Sequence, residues 1–237
     1  MTSHARPKSP RSHSSRSLTN VAIGVVAAAA VAVAASCSSE TTPGPTLVVL
    51  GDSLTAPIGN PDQADQDWFT TANEDADFQL IANAGIGGET TEQILARVDQ
   101  DVIARGPEWA TVLAGTNDVF GGTDAQTIIT NLSMIYDKLA FTNVGIIAFT
   151  IPPILVGDSV KEQTLRDVNA WMRATVESGW ANARLVDWSD DLGADGDEVL
   201  PNDAYVTDGI HFSAEGAGAA GAAAAPVFES IADSADG

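Results

Sequence analysis

The chain has 237 residues, 44% of them hydrophobic, which suffices for one domain with a substantial core. Its 32 acidic residues outnumber its 11 basic residues and give a formal net charge of −21. Such a surface repels phosphate backbones and anionic lipid head groups, so we expect no nucleic-acid partner. Simple solubility outside the cell explains this charge as well as any partner would.

The first 36 residues have the composition of a secretory signal peptide. They contain four basic residues and no acid, and they end in an uncharged run of 16 small and apolar residues at positions 21–36. This run is shorter than the roughly 20 residues of a permanent transmembrane helix. Loss of the segment would shift the formal charge from −21 to −25, because the four basic residues would be removed while all 32 acids remain. We therefore predict an exported protein and exclude residues 1–36 from the fold.

The single cysteine, Cys37, directly follows this segment. Ala34-Ala35-Ser36 precedes it, as in a bacterial lipoprotein signal with an acylated cysteine, although Ala34 stands where leucine is usual. Ala32-Val33-Ala34 could also serve an ordinary signal peptidase. We predict a lipid on Cys37 and a cell-surface lipoprotein, with simple secretion as the alternative. Residues 37–45 are rich in Ser, Thr, Pro and Gly and are predicted to be a flexible tether before a domain at 46–237.

Short apolar runs alternate with segments of helical periodicity in the rest of the chain. The predicted strands are residues 47–50, 79–82, 110–114, 144–150 and 184–186. Helices are predicted at 90–105 and 125–139, where apolar residues form one stripe. This alternation indicates a parallel sheet covered on both faces by helices, a three-layer α/β/α sandwich. Reactive groups then belong at the carboxyl ends of the strands.

Gly51-Asp52-Ser53-Leu54 follows the first predicted strand and places a serine at its carboxyl end. Gly51 would permit a tight bend, and Asp52 or Ser53 could cap the next turn. A turn serine is therefore one interpretation of Ser53, and a nucleophile is the other.

A candidate base and acid lie far downstream, at His211 and Asp208. The other two histidines, His4 and His13, fall in the predicted signal, so His211 is the one histidine left to the mature protein. A serine hydroxyl needs a base, and a carboxylate three residues before a histidine can fix the tautomer of that base. A histidine with an ordinary structural hydrogen bond is the alternative.

Two loops offer hydrogen-bond donors for an oxyanion. Residues 83–90 form a Gly-rich loop after the second strand, and its backbone N–H groups could face an anion. Its glycines match neither a phosphate loop nor a dinucleotide fingerprint. Asn117, after the third strand, could add a side-chain amide, although asparagine is also a common turn former.

Taken together, these four segments resemble the sequence blocks of the SGNH hydrolases, also called the GDSL lipase/esterase family. The resemblance extends from Thr46 to about Ile231 and implies a flavodoxin-like fold, no metal or other cofactor, and ester or thioester hydrolysis through an acyl-enzyme. It assigns Ser53 as nucleophile, His211 as base and Asp208 as its orienting acid. Its oxyanion donors are the N–H groups of Ser53 and Gly88 and the amide of Asn117.

Several alternatives remain at this point. The protein could be a carbohydrate O-deacetylase of the same fold, or a lipoprotein that binds a glycan or acyl chain without turnover. We expect a monomer that acts on a small-molecule or glycan ester and touches a membrane only through a lipid on Cys37. Ile58, Ile86, Phe120 and the segment 151–154 are candidate walls of an acyl pocket. The acidic segment 190–198 lacks calcium-loop spacing and is predicted to be a solvated loop.

Overall fold

Five short apolar segments form the strands of one sheet in the computed structural model, which describes residues 43–235. The strands are β1 (Thr46–Gly51), β2 (Gln79–Gly85), β3 (Trp109–Leu113), β4 (Gly145–Phe149) and β5 (Ala183–Val186). Their order is β2-β1-β3-β4-β5, and every adjacent pair is parallel. The predicted α/β class is confirmed. The predicted signal peptide and Cys37 lie outside the described residues.

Within residues 43–235, seven helices connect or follow these strands. They are α1 (Trp68–Ala72), α2 (Thr91–Asp101), α3 (Thr116–Gly121), α4 (Ala125–Phe141), α5 (Ser159–Gly179), α6 (Ser189–Leu192) and α7 (Ala214–Ala235). Short 3-10 segments lie at Pro61–Gln66, Ile103–Arg105 and Ala194–Gly196. None of the helices within residues 43–235 is long and apolar enough to cross a lipid bilayer.

The helix predicted at residues 90–105 is shorter in the structure. It ends at Asp101, because Val102 has φ −118° and ψ −65°, and a 3-10 turn follows. Gly106 then ends the segment in the left-handed conformation with φ 63°. The helix predicted at residues 125–139 extends to Phe141, and the Asp124 carboxylate caps its first turn by accepting from the N–H of Thr127.

Helices cover both faces of the sheet, as the apolar strands require. Val48 and Leu50 of β1 pack into a core with α2, α4 and α5. Leu47 and Val49, which alternate with them, pack into a second core with α1 and α7. The predicted helical stripes supply the first core with the buried residues Ile94, Val98, Val102, Ile128, Leu132, Ile135 and Leu139.

The second core is built around aromatic rings. Phe228 of α7 is fully buried, and its ring centroid lies 5.2 Å from Phe78, 5.9 Å from Phe69 and 6.4 Å from Trp68. All three contacts have the edge-to-face geometry that aromatic quadrupoles favour. Phe228 therefore joins α7 to the layer that contains α1.

Replacement of Phe228 by alanine should destabilise the protein by about 3 to 5 kcal/mol, because it removes buried surface and leaves a cavity. Phe141→Ala is the matched control, since the Phe141 side chain is 90% exposed and its loss should change stability by no more than about 0.5 kcal/mol. Chemical denaturation of both variants measures the difference. Equal stability of the two variants would contradict the packing described for α7.

Candidate active site

The turn after β1 leaves the hydroxyl of Ser53 available. The Asp52 carboxylate accepts a hydrogen bond from the N–H of Leu54 at 3.0 Å. The Asp52 carbonyl oxygen accepts from the N–H groups of Thr55 and Ala56 at 3.2 and 3.0 Å. Asp52 thus makes the capping contacts that the sequence also allowed for Ser53.

Gly51 is required by the lack of space around its Cα. The chain bends directly after it, at residues 52–59, although Gly51 itself is not among the glycines with positive φ. A Cβ at this position would collide with Oγ1 of Thr55 and lie 2.5 Å from the carbonyl oxygen of Leu113. Any side chain here would push β1 away from β3.

Asp208 and His211 lie in a tight loop before α7. The carboxylate of Asp208 accepts hydrogen bonds from the N–H groups of Ile210 and His211 at 3.1 and 2.9 Å. Gly209 between them has φ +87°, a conformation that favours glycine. The N–H of Leu155, in the loop after β4, donates to the Gly209 carbonyl at 2.8 Å and braces this loop against the sheet.

The structure brings Ser53, His211 and Asp208 into one hydrogen-bonded chain. Ser53 Oγ lies 2.9 Å from Nε2 of His211, and Nδ1 of His211 lies 2.8 Å from Oδ2 of Asp208. A carboxylate can only accept, so Nδ1 carries the proton, and Nε2 of the neutral ring accepts from the serine hydroxyl. This arrangement can remove a proton from Ser53 as the oxygen attacks an electrophile.

The surroundings of Asp208 favour the ionised form of its carboxyl group. Hydrogen bonds from the side chain and backbone N–H of His211 lower the pKa of Asp208 to about 2. Its side chain is 54% exposed, so desolvation opposes ionisation only weakly. Asp208 is therefore an anion at neutral pH and stabilises a positive charge on the imidazole.

Gly88 occupies the turn that follows β2. The N–H of Glu89 approaches the carbonyl oxygen of Ile86 at 3.4 Å, and Gly88, the third residue of this turn, has φ +83°. Type II turns need this conformation at that position, and glycine adopts it without strain. The neighbouring Gly87 lies against Ser53, since a Cβ on Gly87 would be 3.7 Å from the Ser53 Cβ.

Asn117, in the first turn of α3, connects to both of the other loops. Its Nδ2 donates to the carbonyl oxygen of Glu89 at 2.9 Å and makes a longer contact of 3.4 Å with Oδ2 of Asp52. The predicted oxyanion donors therefore lie on adjacent segments that are joined by hydrogen bonds. In this structure both contacts of the Asn117 amide are made to the protein itself.

Sequence reasoning missed Arg97 of α2, which links the first two loops. Its guanidinium pairs with the Glu89 carboxylate at 2.6 Å, with Asp101 at 3.0 Å and with the Gly51 carbonyl oxygen at 3.1 Å. The arginine side chain is only 14% exposed, so these contacts are well shielded from water. The one sequence signal was the four-residue spacing to Asp101, which is typical of any helix surface.

The charged form of Asp52 is disfavoured by its position beneath this site. Complete burial raises the pKa of Asp52 to about 7, against the opposing effects of the Leu54 N–H and the nearby His211. Burial also raises the pKa of Asp118, which accepts from the N–H and hydroxyl of Thr91 and so holds the start of α2.

A cavity of about 460 Å³ opens beside Ser53 and His211. Gln63, Gln66 and Thr207 are among its lining residues. The acyl-pocket walls expected from the sequence do not line it. Ile58, Ile151 and Ile154 are buried in the two cores, Phe120 packs against the first core, and Ile86 is exposed. Apolar character alone could not separate pocket walls from core.

Two arginines of α5 pair with acids of the segment 190–198. Arg166 contacts Asp197 and Glu198, and Arg173 contacts Glu198 as well as Asp187. Across residues 43–235, no group of three or more His, Cys, Asp and Glu side chains is arranged to hold a metal ion.

The fold and these loops define a class of proteins. The parallel sheet has helices on both faces and presents Ser53, Asn117 and the loop with Asp208 and His211 at its carboxyl edge. This arrangement agrees with the family model of the GDSL-like lipase/acylhydrolase family, which matches residues 49–219. The chain belongs to this family.

Individual relatives support the same assignment over shorter stretches. The chain is 32% identical over 99 residues to thioesterase 1/protease 1/lysophospholipase L1 of Escherichia coli, covering 41% of this chain and 47% of that protein. It is 42% identical over 40 residues to an acetylxylan esterase of Geobacillus stearothermophilus, covering 17% of this chain and 18% of that protein. The matches thus span less than half the length of these curated relatives.

Solved structures share the fold. A GDSL-like lipase from Bacteroides thetaiotaomicron superposes with a TM-score of 0.61 at 20% sequence identity, covering 81% of this chain and 89% of that chain.

The stability of the protein should depend on the ionisation of Asp52. The pKa of Asp52 is about 7 in the folded protein and exceeds the ordinary value of 3.8, so its contribution to stability is full below about pH 4 and is lost as pH rises through 7. Asp52→Asn keeps an acceptor for the Leu54 N–H and cannot ionise. Between pH 4 and pH 8, the free energy of unfolding of this variant should increase by up to about 4 kcal/mol relative to that of wild type.

Denaturant titrations of both proteins at several pH values measure this difference. Asp203→Asn, at an exposed carboxylate, controls for the removal of one negative charge. Parallel stability profiles of wild type and Asp52→Asn would show that the buried carboxyl does not titrate in this window.

Proposed function

We propose that this protein is a serine ester hydrolase that cleaves carboxylic esters or thioesters through an acyl-enzyme on Ser53. The observation that carries the proposal is the chain from Ser53 Oγ to His211 Nε2 at 2.9 Å and from His211 Nδ1 to Asp208 at 2.8 Å. A merely structural serine would have no need of an oriented imidazole.

Acylation begins when Ser53 Oγ attacks the carbonyl carbon of the substrate and its proton moves to Nε2 of His211. The carbonyl oxygen becomes an oxyanion, and Asp208 stabilises the imidazolium. The intermediate collapses as the leaving oxygen or sulfur takes the proton from Nε2. Water then attacks the acyl-enzyme, with His211 again as base, and releases the acid.

The N–H groups of Ser53 and Gly88 and the amide of Asn117 bind the oxyanion in this proposal. One Asn117 N–H keeps its 2.9 Å bond to Glu89, which joins the amide to the residue after Gly88. The 3.4 Å contact to Asp52 is the weaker one, and a small rotation of the amide exchanges it for the oxyanion. Catalytic hydrogen bonds commonly tighten only when substrate is bound.

The relatives do not agree on the acyl and alcohol parts of their substrates. Their names include a thioesterase, a lysophospholipase and an acetylxylan esterase, which share only the transfer of an acyl group to water. Carbohydrate O-deacetylation is the second candidate, favoured by the polar side chains of Gln63, Gln66 and Thr207 that line the cavity beside Ser53.

Ser53→Ala and His211→Ala should each lower kcat/KM on p-nitrophenyl acetate by at least about 10³-fold, because each removes a reacting group. Ser178→Ala, at an exposed serine in the last turn of α5, should retain wild-type turnover. A fluorophosphonate probe should label wild type on Ser53 and leave Ser53→Ala unlabelled. Circular dichroism establishes that each variant is folded.

Two results would contradict this proposal. Turnover by folded Ser53→Ala would exclude Ser53 as nucleophile. A folded wild-type protein inactive on acetate, butyrate and octanoate esters, and unlabelled by the probe, would favour a protein that binds esters or glycans without turnover.

Asn117→Ala should lower kcat by about 10² to 10³-fold with little change in KM, because the oxyanion exists only after attack. Steady-state kinetics on p-nitrophenyl butyrate separate the two constants. A raised KM at unchanged kcat would instead place Asn117 in ground-state binding.

A further inference from the structure

The guanidinium group of Arg97 uses three different nitrogen atoms to contact three segments of the chain. Nε donates to the Glu89 carboxylate at 2.6 Å, Nη1 to Asp101 at 3.0 Å and Nη2 to the Gly51 carbonyl oxygen at 3.1 Å. Asp101 lies on the same helix, four residues on, and orients the guanidinium from below. The other two contacts join the Gly88 loop to the end of β1 through one planar, rigid group.

These two contacts lie next to the proposed oxyanion donors. Glu89 directly follows Gly88, and Gly51 precedes Ser53 by two residues. The Glu89 carbonyl oxygen also accepts from the Asn117 amide at 2.9 Å. Arg97 therefore acts on the segments of all three donors without itself being one of them.

The loop that carries Gly88 has little packing of its own. The Ile86 side chain is 46% exposed, and a Cβ on Gly88 would have no heavy atom within 4 Å in the described part of the chain. The hydrogen bond within the turn, from the Glu89 N–H to the Ile86 carbonyl oxygen, is long at 3.4 Å. The position of Gly88 therefore depends on contacts that neighbouring segments supply.

Contacts to the end of β1 hold this loop on both sides of Gly88. Before Gly88, the N–H of Ile86 donates to the Gly51 carbonyl oxygen at 3.1 Å. After Gly88, the Glu89 carboxylate binds Arg97, which donates to the same carbonyl oxygen. Loss of Arg97 would leave the second side joined to its neighbours through the Asn117 amide.

Stability alone is a weak reason for this ion pair. The side chains of Arg97 and Glu89 are only 14% and 17% exposed, so both charges lose most of their hydration. That loss offsets much of their attraction, whereas the directional hydrogen bonds still fix the geometry. Oxyanion donors need such a fixed geometry, because a displacement of about 1 Å can cost about 10²-fold in rate.

We propose that Arg97 is a positioning residue for the oxyanion site: it holds the Gly88 loop against the end of β1, so that the donors from Ser53, Gly88 and Asn117 converge on one point. This inference rests on the proposed esterase function and deepens it.

Arg97→Ala should lower kcat on p-nitrophenyl butyrate by about 10- to 100-fold and change KM by less than about threefold, because the oxyanion exists only after attack. Arg105→Ala is the matched control. Arg105 is exposed in the 3-10 turn after α2 and donates to the carbonyl oxygen of Asp101, so this variant removes the same charge and should keep the wild-type kcat.

A double-mutant cycle shows whether Arg97 acts through the oxyanion donors. Arg97→Ala and Asn117→Ala disturb the same site, so their combined loss of kcat should be smaller than the product of the two single losses. A combined loss equal to that product would overturn the proposal, since Arg97 would then act independently of the Asn117 amide.

A second variant keeps the test valid if Arg97→Ala does not fold. Arg97→Met combined with Glu89→Met replaces the buried ion pair by apolar side chains of similar length, which commonly preserves stability. It removes the contact to Gly51, so it should show the same selective loss of kcat. Chemical denaturation establishes that each variant is folded.

The outcomes separate this proposal from the esterase proposal. Active wild type with an unchanged kcat in folded Arg97→Ala, or with a raised KM at unchanged kcat, overturns the positioning role and leaves the esterase standing. Wild type that is inactive on esters and unlabelled by a fluorophosphonate probe overturns both proposals, because no oxyanion would then form.

Discussion

The parallel pairing of β1 with β2 on one side and β3 on the other is the constraint on which the site depends. Gly51, the last residue of β1, is level with Gly85 of β2 and with Leu113 of β3. Three loops therefore leave the sheet at one height, separated by the strand spacing of about 4.8 Å. Ser53, Gly88 and Asn117 each lie within four residues of these strand ends. Any side chain on Gly51 would disturb this pairing, because Thr55 and the Leu113 carbonyl already fill the space.

The fourth loop is not placed by the sheet and needs contacts of its own. Asp208 and His211 precede α7, beyond β5, and reach Ser53 across 158 residues of sequence separation. The loop holds its own shape through the Asp208 carboxylate and is joined to the sheet by Leu155. The chain has a net charge of −21, and the ionisation of its individual carboxylates depends on their surroundings. Burial raises the pKa of Asp52, whereas hydrogen bonds and exposure keep Asp208 ionised.

Periodicity and block order predicted the sheet, the stripes of α2 and α4, and the residues that meet at the carboxyl edge, because these follow from local patterns. Contacts between distant segments were not predictable in the same way. Ile58 is apolar, as a pocket wall would be, but it is buried in the core. Gly51 was expected to allow a bend, and the structure shows that there is no space for a side chain at its position. Arg97 and Gln66 carried no pattern, since the partners of Arg97 and the cavity beside Gln66 exist only after the strands and helices pack.

Under the proposed mechanism, the negative charge of the chain also affects which ligands the cavity beside Ser53 can accept. Solubility explains a negative surface, but it does not explain why an anionic carboxylate also lines the cavity beside Ser53. Asp208 is held there by its hydrogen bonds to His211, so the base proposed to activate Ser53 brings a negative charge into this cavity. Long-range repulsion and this local charge both act against the binding of anionic ligands in this cavity.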